Sequence, residues 1–396
     1  MHPPDPYRFD LVVRGGLLAD HERGTLAPGE LAIRGGRVAR TGPPGSLRDA
    51  PAERTYDATN LLVAPGLIDL HTHVYGGRTG LGVDADEVGV RQGVTTVADA
   101  GSCGSDHWDD FAARVLAPAR TRVLSWLNIS RHGLVHGTRE LAGGPADIDV
   151  DATAALLVRE RAAIRGIKVR MSASVLGDSG LAPLRAAKRL AATAAPERGR
   201  VPVMVHVGNA PPALGDVLDE LGPGDVVTHA FHGKPGCLFG GGTAPVPQAR
   251  AAYERGVRFD VGHGSASFSF ATAERALDAG LRPYTISTDL HRRNIGGPVH
   301  SLATTLGKLL ALGLPLPDVL ACATAHAADV LGLADALGTL RPGAVADLGL
   351  LELREERVRL TDAAGAVREA PQCLVPRAAV RAGTVHPLAP TPKAAV

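Results

Sequence analysis

The sequence predicts an α/β fold: a (β/α)8 barrel of the TIM type over residues 64–343, carrying a small β-sandwich domain assembled from both chain ends, 1–63 and 344–396. Three observations predict it. Between the two ends, apolar strand-like runs alternate with longer stretches rich in Ala, Leu, Arg and Glu. Strands covered on both faces read as continuous apolar runs, and eight strand–helix units is the count of such a barrel. At the two ends the runs are shorter and punctuated by turns. Finally, histidines, aspartates and one lysine recur at the C-terminal ends of the central runs, where this barrel type keeps its catalytic groups.

In order, Phe9–Val13 and Leu31–Ile33 are each followed by a glycine pair, Gly15-Gly16 and Gly35-Gly36. Arg37–Ala39 and Asn60–Val63 continue the pattern, which predicts a small antiparallel sheet. The C-terminal end has the same texture at Ala346–Leu351, Val358–Leu360 and Val380–Ala382, so the two ends are expected to pair in one lobe. The Pro/Ala-rich tail from Pro387 to Val396 is expected to fray. The central strands are read at Leu67–His73, Val94–Ala100, Val123–Ile129, Gly166–Met171, Val203–Val207, Val226–Ala230, Val257–Val261 and Tyr284–Thr288. Between them Thr153–Ile164, Leu181–Ala194, Ala213–Leu221 and Ala271–Ala279 have helical composition.

Composition narrows the class of function. Lys and Arg number 42 against 41 Asp and Glu, which gives no electrostatic reason to bind nucleic acid or an anionic membrane. No apolar stretch reaches the length of a membrane span, and Met1–Asp10 lacks the basic and apolar regions of a signal peptide. The four cysteines (Cys103, Cys237, Cys322, Cys373) are far apart and form no CxxC pair, which points to a reducing cytoplasm. A cytoplasmic homo-oligomer acting on a small-molecule substrate is the expectation.

The chemistry starts at Ala64-Pro65-Gly66-Leu67-Ile68-Asp69-Leu70-His71-Thr72-His73. Residues two apart on a strand share a face, so His71 and His73 present two imidazoles side by side at a strand end. Reading the other strand ends adds Asp99, Asn128, Lys168, His206, His229, His232, His263, Asp289 and His291. Two histidines from the first strand, His206 from the fifth, His229 or His232 from the sixth, and a carboxylate from the eighth, Asp289, form a nitrogen and oxygen set suited to a divalent cation with a position left for water. Zinc is preferred for such ligands in hydrolysis, with iron, manganese and nickel left open. A cationic Lys168 inside a barrel beside metal ions would be disfavoured by desolvation and like charge. A side chain that snorkels to the surface would avoid both costs.

The Ala64–His73 string resembles the signature of the amidohydrolase superfamily. Ala323–Ala328 and Gly338–Asp347 resemble that superfamily's return from barrel to small lobe. The resemblance implies that His71 and His73 bind the more buried metal, and that Lys168, carboxylated by CO2, bridges two metals. It also implies that His206 and His229 bind the second metal, while Asp289 binds the first and acts as the base. Two Zn2+ with a bridging hydroxide, and Asp289 as proton shuttle to the leaving group, follow from the same resemblance. Dihydroorotases typically carry an arginine where this chain has Tyr75, which weakens that reading. The dihydroorotase-like deacetylases, which cleave acetyl groups from small acids, are a closer match, with cyclic-amide hydrolysis as the alternative. A decarboxylase, lyase or isomerase on the same barrel, or an inactive scaffold, are the rivals from other classes. The substrate-facing candidates are Arg170, His232, His263 and Tyr75. Arg170 either pairs with a substrate carboxylate or sits in a rim ion pair, and the two histidines either donate to the substrate or make ordinary strand-end bonds. Cys103 lies near the place where D-aminoacylases of the superfamily carry a cysteine ligand.

Overall fold

The computed structural model of the protein describes residues 8–21, 23–194 and 201–388. The chain opens with β1 (Phe9–Asp20), β2 (Thr25–Arg34), β3 (Arg37–Gly42), β4 (Ala52–Asp57) and β5 (Leu62–Pro65). The two glycine pairs, alike in sequence, differ in structure. Gly35 and Gly36, at φ +58° and +70°, form the tight turn between β2 and β3. Gly15-Gly16 does not end a strand as expected. There the pairing of β1 with β2 shifts register and the strand continues, because Gly16 lets the backbone approach Val63 where a Cβ would come within 2.4 Å of its methyl. The bulge divides β1 between two parallel neighbours, β4 along its first half and β5 along its second. The expectation of a purely antiparallel sheet is corrected accordingly.

The middle of the chain supplies β6 (Leu67–Thr72), β7 (Val94–Ala100), β8 (Arg122–Asn128), β9 (Ile164–Met171), β10 (Val203–Val207), β11 (Val226–Thr228) and β12 (Arg258–Phe259). They pair in sequence order into one parallel sheet, and β6 and β7 are buried at every residue. The eighth apolar run is not a regular strand. It makes two isolated parallel bridges, Asp260 with Thr285 and Thr72 with Leu290. The Val261 and His263 amides donate to Thr285 and Ser287, and the Asp289 amide donates to the His71 carbonyl at 2.7 Å. Residues 284–290 thus join both edges of the curled sheet.

Helices pack outside it. The helix expected from Thr153 begins at Val150, because the Asp149 carboxylate caps it by accepting from the Ala152 amide at 2.9 Å; it ends at Arg159, since Ile164 already opens β9. Ala182–Thr193, Leu214–Asp219 and Phe270–Asp278 lie close to their expected places.

The C-terminal part forms β13 (Leu348–Arg354), β14 (Val358–Thr361), β15 (Val367–Ala370), β16 (Cys373–Arg381) and β17 (Thr384–Pro387). The two ends meet where β5 pairs antiparallel with β13, giving the sheet order β17-β16-β13-β5-β1-β2-β3, with β4 beside β1. Leu11, Leu31, Ile33, Val63, Leu348 and Val380 fill its core from both ends. Val358–Leu360 does not join this sheet. β14 and β15 form a separate hairpin, which Asp362 ties to the outer helices by accepting from the Phe270 amide at 2.9 Å. Of the tail, Pro387 closes β17, and residues 389–396 lie outside the described residues. Among the described residues, no helix is long and apolar enough to cross a membrane.

Candidate metal centre

The side chains that leave the C-terminal ends of the parallel strands converge on Asp289. Its Oδ1 lies 3.4 Å from His71 Nε2 and 3.1 Å from His73 Nε2. One donor atom each from His71, His229 and Asp289 lie within 4.8 Å of one another. The His206 ring stands 4.4 Å from that of His229, and Lys168 Nζ is 3.0 Å from His71 Nε2. The six residues singled out as ligands therefore occupy one site. Two of them have left-handed backbone, His229 at φ +64° and Asp289 at φ +52°, a strain that the surrounding bonds sustain.

A layer of hydroxyls and carboxylates behind the histidines fixes which nitrogen faces the centre. Asp260 is wholly buried and accepts from the hydroxyls of Thr228, Thr285 and Ser287, each at 2.7 Å. With its hydrogen committed to Asp260, Thr228 Oγ1 accepts from His71 Nδ1 at 2.9 Å. His71 Nε2 is left with its lone pair toward the centre. His229 Nδ1 likewise donates to the Gly262 carbonyl at 2.5 Å, and its buried Nε2 has no partner among the described residues. An orphaned imidazole nitrogen aimed at a carboxylate and two further imidazoles fits a divalent metal. His73 Nδ1 bonds Ser102 Oγ at 2.9 Å, and the Ser102 amide in turn donates to Asp99. Asp69, whose burial pushes its carboxyl up to about 7, bonds Thr288 and so locks β6 to the 284–290 segment.

Electrostatics favour neutral ligands. Burial, aided by the Lys168 charge, holds His71 well below its usual range; burial also pushes His229 down to about 3. Lys168 is fully buried, and burial brings its ammonium down to about 7. Among the described residues its amine bonds only His71 Nε2 and, at 3.5 Å, the Met204 sulfur. Gly101, at φ +84°, gives this side chain room: a Cβ there would meet Lys168 Cβ and Cγ at 2.9 Å.

The substrate-facing candidates divide. Arg170 is held by buried Glu140 at 2.9 Å and by the Thr138 carbonyl, with 17% of its side chain exposed. His232 is buried, with Nδ1 accepting from the Lys234 amide, and burial lowers it to about 4. His263 is also buried, and both its ring nitrogens are engaged: its Nε2 meets Lys308 Nζ at 2.7 Å and its Nδ1 the Gly264 carbonyl. Tyr75 is withdrawn from the substrate contacts. Its ring packs at a right angle on Phe111, and its hydroxyl donates to Asp110 at 2.5 Å, inside the main core. Cys103 is buried, its thiol donating to the Gly104 carbonyl, and burial keeps it protonated. Sequence reading missed Asp260, Thr228, Ser102, Lys308 and Lys234. Hydroxyls scattered over separate strands carry no local pattern, and a buried lysine inside an apolar helix is the one signal Lys308 offered.

Imidazoles and a carboxylate from separate strand ends, each oriented from behind, define a metal-dependent enzyme on an α/β scaffold. A model of the Amidohydrolase family matches residues 265–380. A deacetylase of Agrobacterium fabrum is 38% identical over 339 residues, covering 85% of this chain and 82% of that protein. A deacetylase of Enterococcus faecalis is 35% identical over 386 residues, or 96% of this chain and 99% of that one. Among solved structures, one described as an adenine deaminase superposes with a TM-score of 0.89 at 34% identity, covering 96% of this chain and 100% of its own. Another, described as a dihydroorotase, gives 0.83 at 33% identity over 96% and 99%. The chain belongs to the amidohydrolase family and is a metal-dependent hydrolase.

Proposed function

We propose that the protein removes an acetyl group from a small N-acetyl or O-acetyl acid. The observation that carries this reading is its likeness to two deacetylases along 82% and 99% of their own lengths. In this reading residues 64–343 close as a (β/α)8 barrel, and 1–63 with 344–396 form the β-sandwich lobe of a cytoplasmic homo-oligomer.

His71, His73, His206, His229, Asp289 and Lys168 would hold two zinc ions. When bound, such ions polarise the scissile carbonyl and bring the pKa of water to about 7. Lys168 supports a carboxylated state because burial leaves much of its amine unprotonated near neutral pH, free to add to CO2 and lose a proton. Asp289 takes the proton of the attacking water and passes it to the leaving oxygen or nitrogen. The acid group of the substrate is assigned to Arg170 and to the half-buried Lys234, whose Nζ lies near His206 and Ser172 around Gly208. His232 lies beside Lys234 and is the remaining candidate donor to the substrate.

Incubation with a panel of N-acetyl and O-acetyl acids, assayed for acetate, tests the proposal. Hydantoins and dihydropyrimidines run alongside address the cyclic-amide alternative, which the resemblance to the dihydroorotase structure favours. Acetate release supports deacetylation; ring-opened acids without acetate would replace it.

A further inference from the structure

A second group of histidines lies apart from the centre. His107 ends a short turn of helix, Ser105–His107, in the loop after β7, while His132 and His136 lie in the loop after β8. One ring nitrogen from each of the three falls within 4.8 Å of the others. The His132 and His136 rings are 5.3 Å apart and those of His107 and His136 5.7 Å. None of the three is among the residues around Asp289.

Two features separate this group from a chance meeting of surface side chains. His107 Nε2 is buried and has no hydrogen-bond partner among the described residues, an unfavourable state unless something fills it. Around the trio, Asp106 and Asp147 stand 3.4 and 3.9 Å from His132. Asp106 also pairs with Arg131, and Asp110 with Arg78, so those guanidinium charges are compensated and Asp147 is the carboxylate left to offset a cation. His107 is held below its usual range by burial, by His136 and by Arg78, which keeps its lone pair free. His136 is exposed, so an ion has a way in.

We propose that His107, His132 and His136 form a third metal site, taking a zinc-class divalent ion that staples two loops at the mouth of the barrel. Ligand nitrogens about 2.0–2.1 Å from zinc stand closer together than the 4.8 Å within which these three lie, so the side chains draw inward as the ion binds. The loop after β8 carries Glu140, which holds Arg170, and the His107 carbonyl accepts from Tyr75 at 3.4 Å. An ion here fixes the loops around the substrate path without touching the reacting groups. The proposal does not depend on the deacetylase reading.

The test uses Zn2+ alone as the probe. Wild type and the variants His136→Gln and His132→Gln, each confirmed as folded by circular dichroism, are saturated with zinc, freed of excess and analysed for metal. Hydrogen exchange is followed over residues 104–108 and 131–144. The expected result is about one zinc fewer in each variant and faster exchange in both loops, with turnover kept within a few-fold in His136→Gln. Equal zinc in wild type and both variants, or exchange in these loops that zinc does not change, would overturn the site.

Discussion

At the scale of the residue, the centre depends on groups one step removed from it. Asp289 is the one carboxylate within 3.4 Å of both first-strand histidines among the described residues, so its loss should remove the proposed proton acceptor and a proposed metal-binding oxygen together. Asp289→Asn should lower kcat by about 10²–10⁴-fold, the usual contribution of a general base, with any accompanying loss of zinc read by elemental analysis. Thr228→Val keeps the volume but breaks the chain from Asp260 to His71, freeing the imidazole to turn or change tautomer. A loss of about 10–100-fold in zinc affinity, measured by chelator competition, is expected. An unchanged affinity would mean that His71 is oriented by packing alone.

At the scale of the element, short connectors hold long ones in place. The β14–β15 hairpin is outside the terminal sheet, and Asp362 is one of its ties: the carboxylate accepts from the Phe270 amide and, within the turn, from the Ala364 and Ala366 amides, at 2.8–2.9 Å. Asp362→Ala leaves the buried Phe270 amide unpaired and should cost about 1–3 kcal/mol in urea unfolding. Much of this level was legible. The parallel strands were readable from their unbroken apolar runs, whereas the helix expected from Thr153 starts three residues earlier, behind the Asp149 cap. The Gly15-Gly16 bulge was not, because a glycine pair that ends a strand and one that bends it look alike in sequence. Only the position of Val63 across the sheet tells them apart.

At the scale of the whole molecule, a buried cation gives the fold a pH signature. Lys308 is fully buried between His263 and the Pro298 carbonyl, and burial lowers its pKa from 10.5 to about 7. The folded state thus binds fewer protons than the unfolded chain between pH 7 and 10.5. Lys308 therefore adds stability as pH rises through that window, and imposes its full penalty below it. The Lys308→Met variant, compared with wild type by thermal unfolding from pH 7 to 10, should show a smaller rise with pH. Parallel slopes would place the proton elsewhere.

The sequence by itself determined what local periodicity and composition carry: alternate strand and helix, two imidazoles on one face at His71 and His73, and ligand-type side chains at successive strand ends. These follow from the spacing of side chains along a single element. The tertiary structure alone decided the rest. It set the parallel pairing of β1 with β4 and β5, the turn of His263 toward Lys308 and the burial of Tyr75. It also brought Asp260 under three hydroxyls and gathered the His107, His132 and His136 trio. Each of these is a meeting between segments distant in the chain, and it is the shared low-dielectric interior, not any local preference, that selects which polar groups find each other there.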